Sequence, residues 1–188
     1  MSSIGLVGGT FEFFHIGHQK LINSCLSNCD ILEIWVLSDT IARQKDPRIS
    51  TWKERCELIK ESLSDDQSSR VTFHELFDDF GIAICHEKAS KIFCTSETLS
   101  TCQIINEKRI ESGLIPLSVI LVPHALSKDG GIISSSRIRE GVIDRDGEFW
   151  IRDTDISSNL YLTKEVESML KDPFGKLFPG PEDDHSIA

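Results

Sequence analysis

The stretch Val7-Gly8-Gly9-Thr10-Phe11-Glu12-Phe13-Phe14-His15-Ile16-Gly17-His18 gathers two imidazoles, a hydroxyl and bare glycine amides within a few residues. Preceded by Ile4-Gly5-Leu6, it reads as a buried strand opening into a glycine turn, where backbone N–H groups can approach a phosphate closely. His15 and His18 are three apart at a predicted helix start, so both rings leave one face beside the positive end of the helix. Imidazoles donating from Nε2 to phosphate oxygens suit nucleotidyl transfer, where catalysis is positioning plus electrostatic stabilisation of developing negative charge. The competing explanation is structural, with His15 packed on Phe13 and Phe14 and His18 on the surface. Gly8, Gly9 and Thr10 upstream, with Gly17 between the rings, favour the chemical one.

Three further segments carry candidate groups. Ile132-Ile133-Ser134-Ser135-Ser136-Arg137-Ile138-Arg139, after Gly130-Gly131, places serines at the N-cap, N1 and N2 positions of a predicted helix, with free amides and hydroxyls for an anion. Arg137 or Arg139 would add charge; an ordinary serine cap with solvated arginines is the alternative. Arg43-Gln44-Lys45-Asp46-Pro47-Arg48 reads as a loop after the second strand, at the same sheet edge, where Lys45 would reach a phosphate or simply be solvated. Ser96-Glu97-Thr98 ends a strand, with Glu97 and Thr98 expected to cap the next helix. That helix carries Asn106 and Arg109, the arginine being either a binding group or a surface charge.

The elements that must position these groups alternate. Strands are expected at 4–8, 31–37, 71–73, 91–95 and 117–122. Helices are expected at 17–28, 51–63 and 98–112, with a turn or two over 80–88. Ser50 or Thr51 caps the second helix, Glu54 supplies its early acid, and Gly113 stops the third. The order implies an α/β fold: a doubly wound parallel five-stranded sheet with helices on both faces and right-handed crossovers. Ligands bind such sheets beyond the carboxyl ends of the strands, which is where the Gly8–His18 loop falls. Neither GxxxxGK[ST] nor GxGxxG follows the first strand. Residues 1–152 form the predicted domain. Residues 153–188 read as an appendage, with a short helix near 163–171 and an acidic, turn-rich tail.

Thirty acidic against 20 basic side chains give a formal charge of -10, which argues against nucleic acid as partner. No apolar run approaches the ~18 residues of a membrane span, and the N-terminus enters a strand without a signal-peptide pattern. No membrane association is expected, and the cytoplasm is the expected compartment. The six cysteines show no CxxC pair and no zinc-box spacing, and are expected to be unpaired thiols there. No metal ligands are identified.

Gly8-Gly9-Thr10-Phe11 with His15-x-Gly17-His18, together with Ile133-Ser134-Ser135-Ser136-x-Ile138-Arg139, resembles the HxGH nucleotidylyltransferase superfamily. Within it, Thr95-Ser96-Glu97-Thr98 and Ile105-Asn106-x-x-Arg109-x-x-x-Gly113-Leu114-x-Pro116-Leu117 resemble the archaeal and eukaryotic type of phosphopantetheine adenylyltransferase. The resemblance covers residues 3–150. It implies a Rossmann-like fold and the reaction of ATP with 4′-phosphopantetheine to give dephospho-coenzyme A and pyrophosphate, by direct in-line attack. It assigns His15 and His18 to the α-phosphate transition state and ATP phosphates, and Thr10 with Lys45 to the acceptor phosphate. Gly8, Gly9, Phe11, Gly17, Ser134, Ser135, Ser136 and Arg139 would bind ATP, while Ser96, Glu97, Thr98, Asn106 and Arg109 would contact substrate. Mg²⁺ would arrive with the nucleotide. Glu12 stands where the family usually has Asp, and Ser136 where it has Thr.

Val166 to Leu177 resembles the opening of the archaeal GTP-dependent dephospho-coenzyme A kinase, implying a fusion or association with that enzyme. The archaeal type implies a monomer or a weakly associated chain. Two alternatives share the motifs: another acceptor, such as nicotinamide mononucleotide, FMN or glycerol phosphate, or a non-catalytic nucleotide-binding module partnering a kinase. The segment 95–117 favours phosphopantetheine, and the intact histidines and serines favour turnover.

Overall fold

The structure, a computed structural model, describes residues 2–149. The expected helix at 163–171, the acidic tail and the kinase-like stretch lie outside the described residues. Strands β1 (Ile4–Gly9), β2 (Ile31–Leu37), β3 (Val71–Leu76), β4 (Ala89–Cys94) and β5 (Ser118–Leu121) form one all-parallel sheet in the order β3-β2-β1-β4-β5. The chain winds outward from central β1 to one edge and then returns to the other. The crevice therefore opens between the carboxyl ends of β1 and β4.

Alternation along each strand sorts the two faces. Val7, Leu32, Ile34, Val36 and Phe93 pack under α1 (Ile16–Asn28) and α3 (Trp52–Glu61) in the larger core. Leu6, Ile92 and Cys94 pack with Ala83 of a 3-10 turn (Gly81–Ile84) and with Cys102 and Ile105 of α5 (Leu99–Glu111). Local signals behave as expected. Thr51 and Glu54 form a reciprocal capping box at α3. Gly113 adopts φ +75°, while the Gly113 and Leu114 amides close α5 onto Ile110 and Arg109 carbonyls at 3.0 and 2.8 Å, a Schellman stop.

Three elements depart from expectation. The first half of the charged segment read as a loop, Arg43 to Lys45, is the end of helix α2 (Asp39–Lys45), which is capped by the Ser38 hydroxyl. Its seven residues bury only Ala42, too little for a periodic signal. A further turn, α4 (Asp65–Ser68), has no counterpart among the expected elements. Strand β3 runs three residues past Phe73, because His74 and Glu75 lie on a sheet edge where polar side chains are solvated. The serine segment begins α6 (Ser135–Arg139). Among the described residues no helix is long and apolar enough to cross a membrane.

Candidate active site

Beyond β1 the chain turns sharply, with Phe11 at φ 53° and Phe13 at φ 46°, a left-handed conformation that aromatic residues rarely adopt. Contacts on every side fix it. Phe11 is buried, Glu12 is 3% exposed and ion-paired with Arg139, and the Ser135 hydroxyl donates to the Glu12 carbonyl at 2.7 Å. The turn delivers His15 to the N-cap of α1, where its Nδ1 accepts the His18 amide at 3.4 Å. The neutral ring therefore carries its proton on Nε2.

The His15 and His18 rings stack 3.8 Å apart at 18°, with Phe11 and Phe14 flanking His18 at 5.2 and 5.8 Å. Burial lowers the His15 pKa to about 4; burial, aided by the neighbouring His15, lowers that of His18 to about 3. Both rings are neutral at pH 7 and act as N–H donors. Gly17 makes the stack possible, since a Cβ there would lie 3.0 Å from the His15 ring and 3.5 Å from the Ile133 carbonyl.

Lys45, the last residue of α2, donates to the Thr10 hydroxyl at 3.2 Å. Arg55, a residue outside every motif of the sequence, anchors the backbone of Thr10 and the start of the helix that ends in Lys45. Fully buried, it donates to the carbonyls of Ser50, Thr10 and Leu37 at 2.9, 2.8 and 2.7 Å and to Asp39 at 3.0 Å. One planar fork thus ties the ends of β1 and β2 to the starts of α2 and α3.

Ser134 caps α6, accepting the Arg137 amide at 3.4 Å, as expected. Ser135 has its hydroxyl committed to Glu12. Arg137 is turned away, bridging Asp129 at 2.6 Å and Ser127 at 2.8 Å in the preceding loop. Arg139 lies between Glu12 and Asp46, its Nε 3.4 Å from the latter. Glu12 is therefore the partner that parks Arg139 at the rim.

A cavity of about 480 Å³ brings these groups together: Gly8–Thr10, His15, His18, Lys45, Ser134–Ser136 and Arg139 all line it. A second, largely apolar cavity of about 180 Å³ is walled by Trp35, Leu37, Leu76, Phe80, Ile82 and Ala83. The two share Val7, Gly8, Gly9, Thr10, Lys45, Phe93 and Thr98. Among the described residues four buried side-chain polar atoms lack a hydrogen-bond partner; Arg139 Nε is nonetheless ion-paired with Asp46, whereas His18 Nδ1 and His124 Nε2, which also belong to residues lining the larger cavity, have no partner of either kind. Unspent polar atoms concentrated around one hollow mark a ligand site.

The α5 side requires corrections. Arg109, expected as a phosphate contact, is 1% exposed and donates to the carbonyls of Ile115, Ala83 and His86 at 2.9, 2.7 and 3.0 Å. Asn106, expected as a substrate contact, clasps both backbone groups of Leu117 at 2.9 and 2.8 Å. Neither lines either cavity; both tie α5 to the chain entering β5. Thr98 does not cap α5 with its side chain, which instead accepts the Thr95 amide at 3.3 Å. Thr98 and Glu97 line the larger cavity, whereas exposed Ser96 lines neither.

Residues 6–141 match the model of the cytidylyltransferase-like family. The phosphopantetheine adenylyltransferase of Methanopyrus kandleri is 33% identical over 141 residues, covering 74% of this chain and 89% of that one. A protein of unknown function from Archaeoglobus fulgidus has a similar structure, with a TM-score of 0.54 and 27% identity over 63% of this chain and 97% of its own. Pantothenate synthetase from Thermus thermophilus shares the fold at a TM-score of 0.51 and 13% identity, covering 72% of this chain and 61% of that chain.

Proposed function

The chain belongs to the cytidylyltransferase-like family, and from that premise we propose that it transfers the adenylyl group of ATP to 4′-phosphopantetheine, the activity for which its Methanopyrus kandleri relative is named. One observation carries the reading. A polar cavity with phosphate-binding character and a narrower apolar one meet at Gly8, Gly9, Thr10 and Lys45. ATP occupies the first and the long amide arm of the acceptor the second, so the acceptor phosphate meets the α-phosphorus at their junction.

There an acceptor oxygen attacks, a new P–O bond forms, the bond to the β-phosphate breaks, and pyrophosphate leaves. Thr10 and Lys45 orient the attacking phosphate. His15 and His18, neutral donors in a desolvated stack, stabilise charge that develops on the α-phosphate oxygens and leaving group. The Ser134 and Ser136 hydroxyls and the α6 amides hold the outer phosphates, while Arg139 exchanges carboxylates for phosphate. Glu12 and Asp46 are already paired with Arg139 and Arg48, and among the described residues no acidic or thiol cluster is arranged for a metal. As the family resemblance implies, Mg²⁺ would arrive with the triphosphate, whose charge it would neutralise. The cytoplasm suits the six free thiols.

The test is an acceptor panel with ATP or CTP and Mg²⁺, following pyrophosphate release. Phosphopantetheine is the expected acceptor; adenylylation of nicotinamide mononucleotide instead would overturn the assignment. His18→Ala is expected to lower turnover about 10²-fold or more with the fold intact. Unchanged turnover would make the ring structural.

A further inference from the structure

We infer that His124 is the residue that reads the nucleobase, making its imidazole a specificity determinant for the adenine of the nucleotide substrate. The inference rests on the adenylyltransferase reading and extends it to a residue that reading does not use. Of the buried polar atoms around the larger cavity that make no hydrogen bond, His18 Nδ1 and Arg139 Nε, the latter ion-paired with Asp46, belong to residues placed among phosphates. The third, His124 Nε2, lies on the other side, where the chain leaves β5.

The surroundings there differ from the phosphate side. Val122, Pro123, Ala125 and Ile132 line the cavity beside His124, an apolar surface suited to the faces of a heterocycle. The wall is held in place: the Val122 amide donates to the Cys94 carbonyl at 2.8 Å, and the Ile133 amide to the Ala125 carbonyl at 2.9 Å. His124 is thus fixed between the ends of β4 and β5 and the serine segment. Thr95 and Thr98, which also line this side, are bonded to each other.

A base bound against that surface presents its polar edge to a ring whose hydrogen-bonding capacity is unspent. Adenine carries both an exocyclic amine and ring-nitrogen acceptors, and an imidazole can donate from one ring nitrogen and accept at the other. A buried group left unpaired by the wrong ligand is what gives such a site its discrimination.

The test compares ATP with purine riboside triphosphate, which lacks the 6-amino group, and with ITP, which replaces it by a carbonyl. Affinities are measured by calorimetry without acceptor, and kcat and KM with phosphopantetheine. Wild type is expected to favour ATP over both analogues by about tenfold or more. His124→Ala should raise the dissociation constant and KM for ATP about tenfold, leave the acceptor's KM in place and compress the preference toward unity. His124→Gln, which keeps a donor and an acceptor, should restore part of it. Thermal melts report whether both variants fold. An alanine variant that retains ATP affinity and preference overturns the proposal, as does a wild type indifferent among the three purines. Tight, selective ATP binding with transfer only to another acceptor would instead overturn the acceptor assignment and leave the role of His124 standing.

Discussion

Replacing Arg109 by methionine separates a binding role from a structural one. Methionine keeps much of the buried stem but leaves the Ile115, Ala83 and His86 carbonyls without their donors. Burial already lowers the pKa of this guanidinium, and the three carbonyls are its compensation. An unsatisfied buried polar group costs ~1–3 kcal/mol, and dismantling a buried charged network ~3–5 kcal/mol, so a loss of about 4 kcal/mol is expected after partial relaxation. That is a large share of the ~5–15 kcal/mol that stabilises a typical domain. Urea titration followed by tryptophan fluorescence should show a lower midpoint at unchanged slope. Below the transition, the KM for ATP should stay within about twofold of wild type, since no transition-state or substrate contact is lost. A variant as stable as its parent, with a KM for ATP raised about tenfold, would place the guanidinium in the nucleotide site and refute this reasoning.

The stacked histidines make stability depend on pH with a defined sign. Both folded pKa values, about 4 and about 3, lie below the ordinary 6.5. Acidification therefore protonates the unfolded chain first, and stability falls from pH 7 to 5 with a limiting slope of about 2.7 kcal/mol per pH unit for two rings. Urea midpoints across that range should show it, and His18→Gln should halve it; a flat profile would mean the rings are hydrated. Arg55→Lys keeps the charge but cannot reach four acceptors at once, so we expect a stability loss of ~2–4 kcal/mol and a fall in kcat/KM of about tenfold. Lost stability at undiminished kcat/KM would show that Thr10 and Lys45 hold their places without the fork.

What the sequence disclosed and what it hid follow from the range of the interactions. The glycine turn into His15 and His18, the Thr51–Glu54 box, Gly113 and the serine cap are local, each written within a few adjacent residues. Arg55 and Arg109 were opaque because a helical arginine reads as surface charge. What makes each structural is a set of carbonyls brought from Thr10 and Leu37, or from Ala83 and His86. Glu12 reads locally as a conservative exchange for Asp, because its partner, Arg139, lies across the fold. His124 had no motif around it; its interest lies only in the hollow it lines.

The hydroxyl of Ser135 resting on the Glu12 carbonyl joins positions 123 apart in the chain. Among the described residues the last strand of the sheet ends at Leu121, so every ladder of that five-stranded sheet can close before that link exists. Closing so long a loop is entropically late. Competence for catalysis is therefore expected to lag behind collapse of the sheet, both during refolding and as the nascent polypeptide leaves the ribosome.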